Sequence, residues 1–121
     1  MTEAEHRTVA VVDDDLAVRD SLRLLLEVLG YTVEIFASAA EFLQANVRDF
    51  ACLILDHHMP NMTGLELARR LRADGAVIPI LLITGSPSPT IAARAAELGI
   101  EVLDKPPGDE ALIDFINGTR S

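Results

Sequence analysis

Five short apolar or β-rich runs alternate along this chain with five segments of helical spacing. Four of the runs close on a group with chemistry to offer. Thr8–Val12 leads into Asp13-Asp14-Asp15, and Cys52–Leu55 leads into Asp56. Ile78–Ile83 ends at Thr84, and Ile100–Asp104 is followed by Lys105. Short apolar runs bounded by turn signals read as strands covered on both faces. Strands that alternate with helices across a whole chain predict a parallel sheet between two helical layers, joined by right-handed crossovers. For a domain this small the doubly wound order 2-1-3-4-5 fits, with its switch point between strands one and three.

The helical segments carry their own punctuation. Val18, Leu22, Leu25 and Leu29, with Leu26 beside them, line one face of the first, and Gly30 is placed to stop it. Tyr31–Phe36 alternates and is β-rich, so it predicts a strand with one more exposed face. Ser38 and Glu41 form a capping box ahead of Phe42 and Leu43. A third helix takes its stripe from Leu67, Ala68 and Leu71. Ser88 as N-cap and Pro89 at the first helical position open a fourth, with Ile91, Ala95 and Leu98 inward and Gly99 terminating it. Leu112, Phe115 and Ile116 give the last helix its stripe.

Composition narrows the function classes. A formal charge of −9 argues against direct nucleic-acid binding, which needs a basic face. It suits a protein that binds cations or basic partner surfaces. No apolar run approaches the roughly 18 residues of a membrane span, and the polar start Met-Thr-Glu-Ala-Glu-His-Arg lacks a signal-peptide core. The expected setting is cytoplasmic. The one cysteine, Cys52, excludes an internal disulfide and reads as a small buried hydrophobe. Nine of the ten basic residues are arginine, so the position that keeps a lysine, Lys105, draws notice. A compact ammonium on a flexible stem is not interchangeable with a guanidinium.

Taken in its own window, Asp56 is as readily a capping or turn aspartate as a functional one. The topology weighs against that reading, because ligands of open α/β sheets bind beyond the carboxyl ends of the strands at the switch point. There the fold gathers Asp13, Asp14 and Asp56, flanked by Thr84 and Lys105. Three clustered carboxylates raise one another's pKa unless a cation sits among them, and all-oxygen ligands favour a hard ion such as Mg2+. A carboxylate can also act as nucleophile toward phosphorus. The metal and Lys105 would then neutralise the phosphoryl oxygens, while Thr84 donates a hydrogen bond to them.

The motifs Val11-Val12-Asp13-Asp14-Asp15, Asp56-x-x-Met59-Pro60-x-Met62-x-Gly64, Thr84-Gly85 and Lys105-Pro106 closely resemble the receiver domain of two-component response regulators. The resemblance covers roughly residues 8–118 in order and spacing. It implies a flavodoxin-like (βα)5 sandwich forming one receiver domain over residues 1–121, with no output domain in this chain. It implies Asp56 as phosphoacceptor and Asp13, Asp14 and Asp56 as Mg2+ ligands, joined by the backbone carbonyl of His58. Thr84 becomes the switch hydroxyl and Lys105 the phosphate-contacting lysine, with a cis Lys105–Pro106 bond. The partners implied are a sensor histidine kinase and, on the helix 4–strand 5–helix 5 face, a second copy or a downstream effector. Such a domain catalyses only its own aspartyl phosphorylation and dephosphorylation.

Two positions depart from the family pattern. Val102 stands where an aromatic switch residue is frequent, and Pro107 where phenylalanine is common after Lys-Pro. The adjacent His57 and His58 point opposite ways on an extended segment, which disfavours joint ligation of a transition metal and assigns both imidazoles a structural or solvent role. Met59 and Met62 read as packing. Asp15 is either the helix N-cap or a carboxylate just outside the metal's ligands. A Mg2+-dependent phosphohydrolase is the competing enzyme reading, but His58 stands where such enzymes often place a second carboxylate. A docking module without phosphate chemistry would have no use for the intact acidic, threonine and lysine positions.

Overall fold

The structure, a computed structural model, describes residues 8–105 and 107–118. Five strands, β1 (Thr8–Val12), β2 (Thr32–Phe36), β3 (Cys52–Asp56), β4 (Ile80–Thr84) and β5 (Glu101–Asp104), form one sheet in the order β2-β1-β3-β4-β5. Every pairing is parallel. Five helices connect and follow them: α1 (Leu16–Val28), α2 (Ala39–Leu43), α3 (Gly64–Ala73), α4 (Pro89–Leu98) and α5 (Asp109–Gly118). The doubly wound, flavodoxin-like order expected from the sequence is the one found.

Alternation along the strands divides the core in two. Val9, Val11, Cys52, Ile54, Leu81 and Ile83 face α1 and α5, where Leu22, Leu26, Leu112, Phe115 and Ile116 meet them. Ala10, Val12, Leu53, Leu55, Ile80 and Leu82 face α2, α3 and α4. On that side Phe36, Phe42 and Phe50 pack together, with centroid separations of 5.1, 5.9 and 5.7 Å. β1, β3 and β4 are buried almost throughout, which is why these runs carry hardly a polar residue before their ends.

Several local expectations shift. β4 starts at Ile80 instead of Ile78, because Pro79 has no N–H to give the ladder and serves only through its carbonyl, which accepts from Leu53 N at 3.0 Å. Leu29 is the C-cap of α1 and 38% exposed, so the inner stripe there is Leu22 and Leu26 with Val18 and Leu25 partly covered. Gly30 stops the helix as expected, with φ of 95°. A 3-10 turn at Val47–Asp49, capped by Asn46, lies between α2 and β3 and had no periodic signal. The capping box of α3, in which Thr63 accepts from Glu66 N and Glu66 accepts from Thr63 N, is legible as Thr-x-x-Glu but was not among the expected caps.

Candidate functional site

The polar or charged side chains that are buried among the described residues are Asp13, Asp56 and Thr84. All three lie at the carboxyl edge of the sheet, at the ends of β1, β3 and β4. Burying a carboxylate is costly without partners, so three such residues converging on one edge need a chemical reason.

Backbone bonds fix each of them. Asp13 N donates to Phe36 O at 3.1 Å, continuing the β1–β2 ladder one residue beyond the strand. Asp56 pairs in register with Ile83, and His57 N donates to Ile83 O at 2.9 Å. Lys105 N donates to Thr84 O at 2.9 Å, which ties the residue after β5 to the end of β4. The side chains are thus carried on the sheet itself rather than on free loops, which gives precise placement.

Their carboxylates converge. Ligand oxygens of Asp13, Asp14 and Asp56 all lie within 4.8 Å of one another. Lys105 Nζ stands 3.4 Å from Asp56 Oδ1 and 3.7 Å from Asp13 Oδ2. Three carboxylates against one ammonium leave two negative charges uncompensated, the deficit that one divalent cation fills. The donor set is all oxygen and hard, so it fits Mg2+ and not a soft metal.

The electrostatics carry the same strain. Burial, reinforced by the Asp56 and Asp14 carboxylates, raises the pKa of Asp13 from 3.8 to about 6, although the Asp15 amide and Lys105 oppose it. Burial also pulls the Lys105 ammonium down, yet Asp13 and Asp56 together outweigh it and hold its pKa above the ordinary value. Asp15 resolves its two readings as the N-cap of α1, accepting from Ala17 N at 2.9 Å and Val18 N at 3.3 Å. Its own N–H donates to Asp13 Oδ1 at 2.8 Å and so aims that carboxylate.

The loop after Asp56 turns sharply. His57 O accepts from both Met59 N and Gly64 N at 3.1 Å, and Asn61 takes φ of 72°, a conformation asparagine tolerates. Gly64 matters by its lack of a side chain: a Cβ there would overlap the Asp56 carbonyl oxygen and come within 2.7 Å of Leu82 Cδ1. Met59 is buried and Met62 packs against the same core cluster, as expected for both.

Thr84 stands at the end of β4 as expected, but its hydroxyl is engaged away from the acids. Its Oγ1 accepts from Ser86 N at 3.1 Å and shares a hydrogen bond with His58 Nε2 at 2.9 Å. His57 is half-buried, and its ring packs edge-on against that of His58 with centroids 5.1 Å apart. The His58 side chain reaches across to the end of β4, where it meets Thr84. No local signal could have revealed a contact across 26 residues. Val102 is partly buried against the core cluster beneath α4. The cis Lys105–Pro106 expectation lies outside the described residues.

The response regulator receiver domain family matches residues 9–117. The transcriptional regulatory protein FixJ of Bradyrhizobium diazoefficiens is 39% identical over 118 residues, 96% of this chain and 57% of that protein. FixJ of Azorhizobium caulinodans is 43% identical over 95% of this chain and 56% of its own length. A CheY-like receiver domain protein from Methanospirillum hungatei superimposes with a TM-score of 0.84 at 27% identity, covering 94% of this chain and 96% of that structure. The chain spans little more than half the length of these FixJ relatives. Among the described residues, no helix is long and apolar enough to cross a membrane. Fold, motif order and profile agree, and the chain belongs to the response regulator receiver domain family of two-component systems.

Proposed function

We propose that this domain, in the cytoplasm, accepts a phosphoryl group on Asp56 from the phosphohistidine of a sensor histidine kinase. The observation that carries the reading is the burial of Asp13, Asp56 and Thr84 at one sheet edge, with Lys105 Nζ 3.4 Å from Asp56 Oδ1. Asp56 Oδ attacks phosphorus, the donor's P–N bond breaks, and the departing imidazole nitrogen keeps the electron pair. The product is an aspartyl phosphate.

Asp13, Asp14, Asp56 and the His58 carbonyl would hold Mg2+, which supplies charge neutralisation for the phosphoryl oxygens. Lys105 positions and stabilises the same oxygens, and phosphoryl transfer is accelerated chiefly by such positioning and charge. Thr84 donates to the transferred group, and its movement repacks the α4–β5–α5 face for a second copy or an effector. The logic is a local charge change biasing a bistable element.

The test is phosphoryl incorporation from acetyl phosphate, which is expected to require Mg2+; equal labelling in excess chelator would overturn the reading. Lys105→Arg keeps the charge but replaces a compact ammonium by a planar fork. It is expected to slow labelling roughly tenfold, the size of one charge-assisted hydrogen bond, and an unchanged rate would remove Lys105 from the chemistry.

Asp13→Asn tests the metal site through stability. Because the folded pKa of Asp13 is raised from 3.8 to about 6, the proton on Asp13 favours the fold below pH 4. That contribution is lost as pH rises through about 6. Asp13→Asn removes the penalty, so the metal-free variant is expected to melt higher than the parent at neutral pH, the gap closing toward pH 4. Millimolar Mg2+ is expected to raise the parent's Tm, since it binds only the folded site, and to leave the variant unmoved. A Mg2+ shift of equal size in both would contradict the ligand assignment.

A further inference from the structure

We infer that His58 is a latch on the switch hydroxyl: its imidazole pins Thr84 until a phosphoryl group on Asp56 takes the hydroxyl over. This rests on the acceptor reading above and adds a positioning residue to it. A hydroxyl offers one proton and two lone pairs. Ser86 N–H occupies one lone pair of Thr84 Oγ1, and His58 Nε2, at 2.9 Å, occupies a second position. The oxygen is held between two partners, so turning it toward a new acceptor breaks the arrangement.

Exposure adds to the argument. Thr84 is completely buried, whereas His58 is exposed. The buried hydroxyl is therefore held by a side chain that solvent reaches. His57 packs edge-on against the ring at 72° and steadies it. Position 58 lies two residues past Asp56, so the latch is anchored to the strand that carries the acceptor while it holds the one that carries the switch. In the latch the hydroxyl gives its one proton to Nε2, so a Thr84–phosphoryl bond has to replace the His58–Thr84 bond, and the first opposes the second.

The experiment compares four variants of the whole chain by the rate of labelling from acetyl phosphate with Mg2+. His58→Ala is expected to label about fivefold faster, the effect of one net hydrogen bond. His58→Gln, whose amide oxygen reaches about as far as Nε2 and accepts the same proton, is expected to fall back to the parent rate. In a Thr84→Val background the His58→Ala effect is expected to vanish, because the two residues act through one bond. Parent-like labelling by His58→Ala would overturn the latch, and so would an effect of equal size with Thr84→Val, which would mean that the imidazole acts directly on the phosphoryl group or donor. Absence of labelling in every variant, the parent included, would instead overturn the acceptor reading and the latch with it.

Discussion

Gly64→Ala is expected to lower Tm by roughly 10 °C and to slow phosphoryl incorporation at the same time, the thermal loss following from the ~1–3 kcal/mol of an overpacked site in a domain of this size. Taken alone, the substitution should help: Gly64 opens α3, and alanine is the better helix former by up to about 1 kcal/mol. Space reverses the sign. The new methyl would overlap the carbonyl oxygen of Asp56 and press on Leu82 Cδ1 at 2.7 Å. Leu82 lies in the core of the sheet and Asp56 in its ladder, so neither yields cheaply. Relief has to come from moving α3 away or from shifting the end of β3, and the latter displaces the carboxylate that faces Lys105. Gly85→Ala is the comparison, since a methyl there meets no atom within 4 Å. Equal melting temperatures for the two variants would contradict a close approach of α3 to Asp56 that leaves no room for a methyl group.

Asp56→Asn is expected to take up no phosphoryl group while keeping the fold. The amide has the size and shape of the carboxylate, but its nitrogen lone pair is delocalised and it carries no charge, so it offers phosphorus no nucleophile. The loss is expected to be complete, unlike the graded slowing in Lys105→Arg, because in the proposed reaction Lys105 only assists a step that needs the Asp56 oxygen as its nucleophile. Removing one of three converging carboxylates also relieves Asp13, whose raised pKa owes part of its shift to Asp56. The metal-free variant should therefore be at least as stable as the parent, which separates loss of chemistry from loss of structure. Unchanged labelling of a folded Asp56→Asn protein would place the acceptor elsewhere.

Most of the architecture could be read from residue order because strand burial is written locally. Runs such as Cys52–Leu55 and Ile80–Ile83 must be covered on both faces, and Asp56 and Thr84 then mark where the strands leave the core. The edge that collects Asp13, Asp56, Thr84 and Lys105 follows from strand order alone. The details that escaped are of another kind. Whether Leu29 turns inward depends on where α1 is capped, and the hydrogen bond between His58 and Thr84 joins two segments whose distance no periodicity encodes. Gly64 stood in plain view within the motif, but the reason for it, the carbonyl of Asp56 against its Cα, exists only once α3 is docked.

The proposed function turns on one bond, between Asp56 and phosphorus. The most direct measurement treats the domain with acetyl phosphate and Mg2+, reduces the acyl phosphate with borohydride, and locates the reduced residue by peptide mass spectrometry. An aspartate converted to the corresponding alcohol at position 56, and at no other, is the expected result. Reduction at Asp13 or Asp14, or no reduced residue in a protein that has taken up phosphate, would contradict it.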